Sequence, residues 1–588
     1  MHKSKRKRSN ALEKWVVAAK RADFQEIARK FHIDQVTARL IRNRGIVGDE
    51  AIEEYLNGSL LNLHSPHLLK DCDMAVEILV RKIREKKKIR IMGDYDIDGV
   101  NASYILLKCL RRCGAQVDVE IPDRMKDGYG INEHLIRLAY DEGVDTILTC
   151  DNGIAAIKQV ALAKELGMTV VVTDHHEIQG ELPCADAVVN PKRADCTYPY
   201  KNLCGGAVAY KVAACLYEKL GIPEEEARAF IEFAAIATVG DVMDLTGENR
   251  ILVKEGLLML QHTENPGLRA LLEVNGLKDA RITAYHIGFV LGPCINASGR
   301  LDTAKRALSL LLEENKEEAL RLAGELKALN EERKSMTLAG LEKAVQLVEE
   351  SDLKGDKVLV VYLAKCHESL AGIIAGRLRE RYHRPVFVLT DGEEGVKGSG
   401  RSIEAYSMFE ELCKCAGLFS KFGGHPMAAG LSLPKENVVP FREKINQEAG
   451  LTEEDLIPKV TIDVPMPIDY ITEELIQELS CLEPFGKGNQ KPVFAEKNLN
   501  VLSARILGKN KNVIKMQVLN QAGIVLDAMY FGDVEVFQAY LREKYGTGET
   551  EKLFQNRENS VYLSVTYYPT INEYMNRKSI QIVVQNYQ

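Results

Sequence analysis

Among the 13 cysteines of this 588-residue sequence there is no C-x-x-C pair. Their odd number and scatter suit neither a disulfide framework nor a thiolate zinc site, so they are expected to be reduced cytosolic thiols. Long apolar runs are missing too: no window approaches the roughly 20 residues a membrane helix needs. The opening MHKSKRKRSN is basic, but the apolar WVVAA that follows is too short for a signal-peptide core and soon meets charge. A cytoplasmic location without membrane contact is expected. An excess of basic charge is also lacking, since 77 Lys and Arg against 84 Asp and Glu leave a net charge of −7. That excludes a uniformly basic coat, so any polyanion must bind in a local groove. Internal repeats and low-complexity linkers are absent.

What remains is ordinary globular material, 46% hydrophobic and 27% charged, with length for three or four domains at about 150 residues each. Residues 1–85 read as a helical entry segment, with apolar positions at helical spacing in WVVAAKRADFQEIARKFHI and DCDMAVEILVRKIREKKK. From Lys88 short β-rich runs alternate with amphipathic helices: KIRIMGDYD, VDVEIPDR, DTILTCDNG, TVVVTDHHE, DAVVNPK. This spacing predicts a parallel sheet flanked by helices over 86–320. A charge-laced connector helix is expected over 321–353. A second, smaller α/β domain follows over 354–452, with strands KVLVVYLA and PVFVLTD around SLAGIIAGRLRERY. Residues 456–588 carry short alternating strands, among them KVTIDVPMP, VIKMQVLN, IVLDAMYF and SVYLSVTYYP, and predict a β-barrel or sandwich.

In GDYDIDG, Asp94, Asp96 and Asp98 alternate between an apolar strand and a helix beginning near Val100. Three acids so placed repel one another unless cations hold them, and hard oxygen donors suit Mg²⁺ or Mn²⁺. The bland alternative is a solvated acidic turn that caps a helix. Two further strands end alike, DTILTC in Asp151 and TVVVT in Asp174, His175 and His176. Ligands of an open parallel sheet bind beyond the carboxyl ends of its strands, so these positions are expected to share one crevice. Asp241, in AAIATVGDVMDL, is a weaker further candidate. Acids and imidazoles without thiolates favour a pair of Mn²⁺ or Mg²⁺ ions, which activates water and neutralises charge at phosphorus. Arg124 in IPDRMKDGYG, Arg300 in GPCINASGR and Arg401 in GVKGSGRS, each near glycines, are candidate partners for the substrate's own charge. Each could equally be a surface arginine.

GDYDIDG, DNGI, TDHHE, NPK, GDVMDL, NASGR, GSGRS and KFGGHPMAAG follow one another in this order, and from about residue 15 to the end the chain resembles RecJ-type members of the DHH phosphoesterase family. The resemblance implies two metal ions held by Asp96, Asp98, Asp151, His175, His176 and Asp241, with Asp94 and Asp174 less secure as ligands. It implies catalytic roles for Asp98, His176 and Arg300. Arg124, Arg300, Ser399, Arg401 and His425 would contact substrate, with Arg124, Ser399 and Arg401 holding a terminal 5′ phosphate. The carboxy-terminal strands would form an oligonucleotide-binding fold that tracks a single strand by backbone charge and base stacking. Phe485, Tyr530, Phe531, Tyr567 and Tyr568 are candidate platforms there, against a core role for the same rings. The chain is expected to stop at this fold, without any further carboxy-terminal module.

The activity so implied is 5′-to-3′ exonuclease action on single-stranded DNA in repair and recombination. The enzyme is expected to be a monomer that depends on a helicase and a single-strand-binding protein for substrate. Two rivals are a phosphodiesterase of short oligonucleotides or cyclic dinucleotides and a non-catalytic DNA-binding replication factor. About 130 residues of β structure after residue 455 argue against the first. Intact acids and both histidines argue against the second.

Overall fold

The computed structural model describes residues 13–123, 130–392, 395–508, 510–574 and 577–588. The chain divides into two compact units. One comprises residues 47–333 and 482–491, the other 1–46, 334–481 and 492–588.

The entry segment is mostly helical as expected, with helices Phe24–Phe31, Gln35–Asn43, Asp49–Asn57 and Cys72–Arg84, but its described residues open on a strand. β1 (Lys14–Val17) is a strand that pairs in parallel with Lys459–Ile462, and the helix begins only at Phe24, where Asp23 caps it by accepting the N–H of Glu26. The pattern in WVVAAKRADF therefore mixes two elements. A pairing partner more than 400 residues away outweighed local periodicity.

β2 (Lys88–Met92), β3 (Gln116–Glu120), β4 (Thr146–Cys150), β5 (Thr169–Thr173) and β6 (Ala187–Val189) form a parallel sheet in the order β3-β2-β4-β5-β6. β4 is buried along its whole length, and β2 and β5 nearly so, as strands covered by helices on both faces require. Helices Ile97–Arg112, Gly205–Leu220 and Ile231–Gly240 pack together in the main core of this unit. The connector is a single helix, Lys316–Glu350.

In the other unit β7 (Leu359–Tyr362), β8 (Val386–Gly392), β9 (Gly395–Arg401), β10 (Lys421–His425) and β11 (Ala428–Leu433) form a second sheet in the order β10-β11-β9-β8-β7. β12 (Lys459–Ile462), expected in the carboxy-terminal β domain, instead pairs with β1. β13 (Phe494–Leu507), β14 (Val513–Leu519), β15 (Val525–Tyr530), β16 (Tyr562–Tyr574) and β17 (Arg577–Tyr587) close into a barrel, β13-β14-β15-β17-β16. The parallel β15/β17 pairing requires a crossover. It contains the helix Val534–Phe554, broken at Gly546, which periodicity had not singled out. Tyr530, Tyr567 and Tyr568 lie in the barrel core, so they cannot be stacking platforms, whereas Phe531 is exposed. Among the described residues no helix is long and apolar enough to cross a membrane.

Candidate metal centre

The carboxyl ends of β2, β4 and β5, adjacent in the sheet, bring the acids and imidazoles together. After β2, Asp96 caps the helix Ile97–Arg112 by accepting the N–H groups of Asp98 at 3.0 Å and Gly99 at 3.1 Å. The cap starts the helix at this point and turns Asp98 inward. Asp98 is buried, and its two oxygens accept the N–H of Gly205 (2.7 Å) and Gly206 (2.6 Å) at the start of the helix Gly205–Leu220. Two unsatisfied helix-end donors thus hold a buried carboxylate where the helix dipole favours negative charge. Neither glycine can carry a side chain. A Cβ on Gly205 would stand 2.6 Å from that of Asp151, and one on Gly206 2.5 Å from that of Ala237.

Asp151 follows β4 in the left-handed region, φ 61°, while the Asn152 amide ties the carbonyls of Met92 and Cys150. After β5, Asp174 accepts the N–H groups of Ile154, His175 and His176 and the Nδ1–H of His176, the last at 2.7 Å. Its oxygens are committed to this framework. Asp174 therefore orients His176 through Nδ1, as carboxylates behind metal-bound imidazoles do. His175 Nε2 lies 3.0 Å from Asp151, 3.4 Å from Asp98 and 3.8 Å from Asp241. Asp241 ends the helix Ile231–Gly240.

NASGR serves the same loop from behind. Asn296 accepts the N–H of Ile97 at 2.8 Å, and Gly299 packs so tightly that its Cβ would lie 2.3 Å from the Tyr95 carbonyl oxygen. Arg300 is the next residue on that helix, Gly292–Leu301.

The cluster is electrostatically unstable by itself. Burial, then the neighbouring charges of Asp98, Asp96, Asp94 and Asp241, push the Asp151 carboxyl well above the usual range. Burial and the charges of Asp98 and Asp96 raise Asp241 to about 8. His175 is lowered by burial. Donor atoms of three overlapping groups lie within 4.8 Å of one another: Asp94, Asp96 and Asp151; Asp98, His175 and Asp241; Asp151, His175 and His176. This set fits divalent cations. Hard oxygens and imidazole nitrogens without a thiolate suit Mn²⁺ or Mg²⁺, and cations would relieve the repulsion that raises these carboxyls. Asp94, set aside as insecure, joins the cluster, and Gly205, Gly206 and Asn296 had not been singled out. Asp94 shared the alternating pattern; the other three carry no local signal because their role is contact across the fold.

The remaining substrate candidates lie elsewhere. Arg124 falls outside the described residues. Ser399 and Arg401 stand two residues apart on β9, with the guanidinium donating to Ser399 Oγ at 3.3 Å and to the Gly400 carbonyl at 2.7 Å. Arg401, Ala428 and His425 occupy one rung across β9, β11 and β10, which puts the Arg401 and His425 side chains on one face of that sheet. The amino end of the helix Ala371–Tyr382 abuts them: a Cβ on Gly372 would be 2.8 Å from Ser399 Oγ and 2.9 Å from an Arg401 nitrogen.

Residues 88–238 match the DHH family, N-terminal domain, residues 355–450 the DHHA1 domain and residues 462–586 the RecJ OB domain. The single-stranded-DNA-specific exonuclease RecJ of Bacillus subtilis (strain 168) is 37% identical over 566 residues, covering 96% of this chain and 69% of that protein. That of Escherichia coli (strain K12) is 32% identical over 572 residues, covering 93% and 95%. The crystal structure of RecJ in complex with Mn²⁺ from Thermus thermophilus superposes with a TM-score of 0.82 at 28% identity, covering 98% of this chain and 79% of that one. Its counterpart with Mg²⁺ gives a TM-score of 0.77 at 26% identity, covering 98% and 78%.

Proposed function

This chain belongs to the RecJ family of single-stranded-DNA-specific exonucleases, and from that premise we propose that it hydrolyses single-stranded DNA from the 5′ end, releasing mononucleotides with two Mn²⁺ or Mg²⁺ ions. The observation that carries the reading is the convergence of Asp94, Asp96, Asp98, Asp151, His175, His176 and Asp241 on one sheet edge, with Asp174 and two helix-end N–H groups holding them. Bound there, the cations would neutralise the diester and lower the pKa of the attacking water. The protein's own side chains do the positioning. Asp98 is locked on Gly205 and Gly206, Asp174 fixes the His176 ring through Nδ1, and Arg300 supplies a cation for a phosphate oxygen.

Polarity rests on Arg124, Ser399 and Arg401, with His425 on the same sheet face as Arg401. A guanidinium beside a hydroxyl and a helix amino end suits a terminal phosphate, whose extra negative charge an internal diester lacks. Chemistry is assigned to residues 86–320 and 354–452, joined by the connector at 321–353, and strand tracking to 456–588, with 1–85 as the entry segment. A substrate that duplex DNA does not offer would be supplied by a helicase and a single-strand-binding protein during repair and recombination, and the enzyme would act as a monomer in the cytoplasm. The test is digestion of 5′- and 3′-labelled single strands and the matching duplex with Mn²⁺, Mg²⁺ or chelator. Loss of label from the 5′ end first, on single strands and with metal alone, is expected. Activity undiminished by chelator would overturn the reading, and equal cutting of blunt duplex would overturn the strand preference.

A further inference from the structure

A second group of metal donors lies at the other end of the helix whose first turn holds Asp98. Cys215 stands on that helix, Gly205–Leu220, ten residues after Gly205. Its Sγ is 3.5 Å from Asp73 Oδ1 and 3.9 Å from His67 Nδ1, and those two atoms are 2.6 Å apart. These three residues have their donor atoms within 4.8 Å of one another, and Cys215 is buried while Cys72, the first residue of the helix Cys72–Arg84 and also buried, is outside the group. His67 and Asp73 are exposed, leaving the group open to solvent on one side. The far nitrogen of His67, Nε2, is 3.1 Å from Glu218, one turn beyond Cys215.

We propose that Cys215, His67 Nδ1 and Asp73 bind one zinc ion, with Glu218 behind the imidazole and solvent at the fourth position. Zinc takes four ligands of this kind at roughly 2.0–2.3 Å in a tetrahedron, which sets donor atoms about 3.3–3.7 Å apart. The two sulfur distances lie in or near that range, and the His67–Asp73 hydrogen bond must lengthen to admit the ion. A carboxylate on the second ring nitrogen is the usual companion of a zinc-bound histidine. A thiolate distinguishes the group from the acid-rich cluster and favours zinc over Mn²⁺ or Mg²⁺. Binding replaces the Cys215 thiol proton and any proton on His67 Nδ1, which pass to solvent. The ion would link the segment at 67–73 to the helix carrying Gly205 and Gly206, and so fix the donors on which Asp98 rests. The sequence hides the group because Cys215 is 142 positions from Asp73 and in no paired motif.

The experiment measures zinc in the full-length protein, purified under reducing conditions, for the unchanged chain, His67→Ala, Cys215→Ser and Asp151→Asn. One zinc per chain is expected in the unchanged chain and in Asp151→Asn, and its loss in the other two. His67 is exposed, so His67→Ala keeps the test valid where Cys215→Ser fails to fold. Cobalt in place of zinc should show a thiolate-to-metal charge-transfer band, which the thiol-free acid cluster cannot produce. A reduced, folded chain without zinc overturns the proposal. So does zinc kept by His67→Ala but lost from Asp151→Asn, or bound cobalt without the thiolate band.

Discussion

Asp241 and His176 give the acid cluster a pH signature that metal should erase. Burial and the charges of Asp98 and Asp96 raise Asp241 from 3.8 to about 8. Burial alone would lower His176, but its hydrogen bond to Asp174 lifts it from 6.5 to about 9. Both groups hold a proton more tightly folded than unfolded. Their stabilisation is present below the unfolded pKa and is lost as pH rises through the folded one. The Tm of chelator-treated protein should therefore fall between about pH 4 and 9. Asp241→Asn should flatten the part below about pH 8, and saturating Mn²⁺ should raise Tm most at the alkaline end. A slope unchanged by Asp241→Asn would remove that residue from the cluster. Arg401 supplies a second residue-scale prediction. Arg401→Ala should cost about 1.5–3 kcal/mol on 5′-phosphorylated strands, the size of a charge-assisted contact, and much less on 5′-hydroxyl strands. Equal losses in a binding titration would mean that Arg401 only follows the backbone.

The helix Gly205–Leu220 connects packing to chemistry through its first turn. Gly205→Ala drives a methyl to within 2.6 Å of the Asp151 Cβ. Overpacking at this site should cost about 1–3 kcal/mol in urea unfolding and displace the carboxylates. Metal-dependent turnover should fall far more than stability; a normal rate would show that the first turn need not hold Asp98 and Asp151 so closely. Another element offers bases a surface that the barrel core does not. Tyr285 and Phe289 are 62% and 66% exposed and stacked with centroids 4.9 Å apart. Between them, Gly288 backs onto Val239, two residues before Asp241. A stacked base is worth about 1–3 kcal/mol, so Tyr285→Ala and Phe289→Ala should each weaken single-strand binding by up to that amount. Unchanged affinity in both would exclude the pair as a platform.

At the scale of the whole molecule, a net charge of −7 means that attraction for DNA comes from local positive groups against an adverse overall field. Affinity for a single strand should fall with salt at a log–log slope of about 0.7 per phosphate contact, and a flat titration would rule out tracking along the backbone. The parallel sheet, the strand ends and the residue types gathered there were legible in the sequence, because strand-helix alternation and the placement of Asp94, Asp96, Asp98, Asp151, His175 and His176 after apolar runs are local signals. What was not legible depends on distant contact. β1 finds β12, Tyr530, Tyr567 and Tyr568 turn into the barrel, Asp98 meets Gly205 and Gly206, and Asp174 spends its oxygens on backbone and His176. Residue type and period thus determined by themselves which chemistry this chain carries and on which strands. Only tertiary structure decided which donors share a site and which acid is committed to backbone and His176, because hydrogen bonds and close packing between segments tens to hundreds of residues apart leave no trace in local pattern.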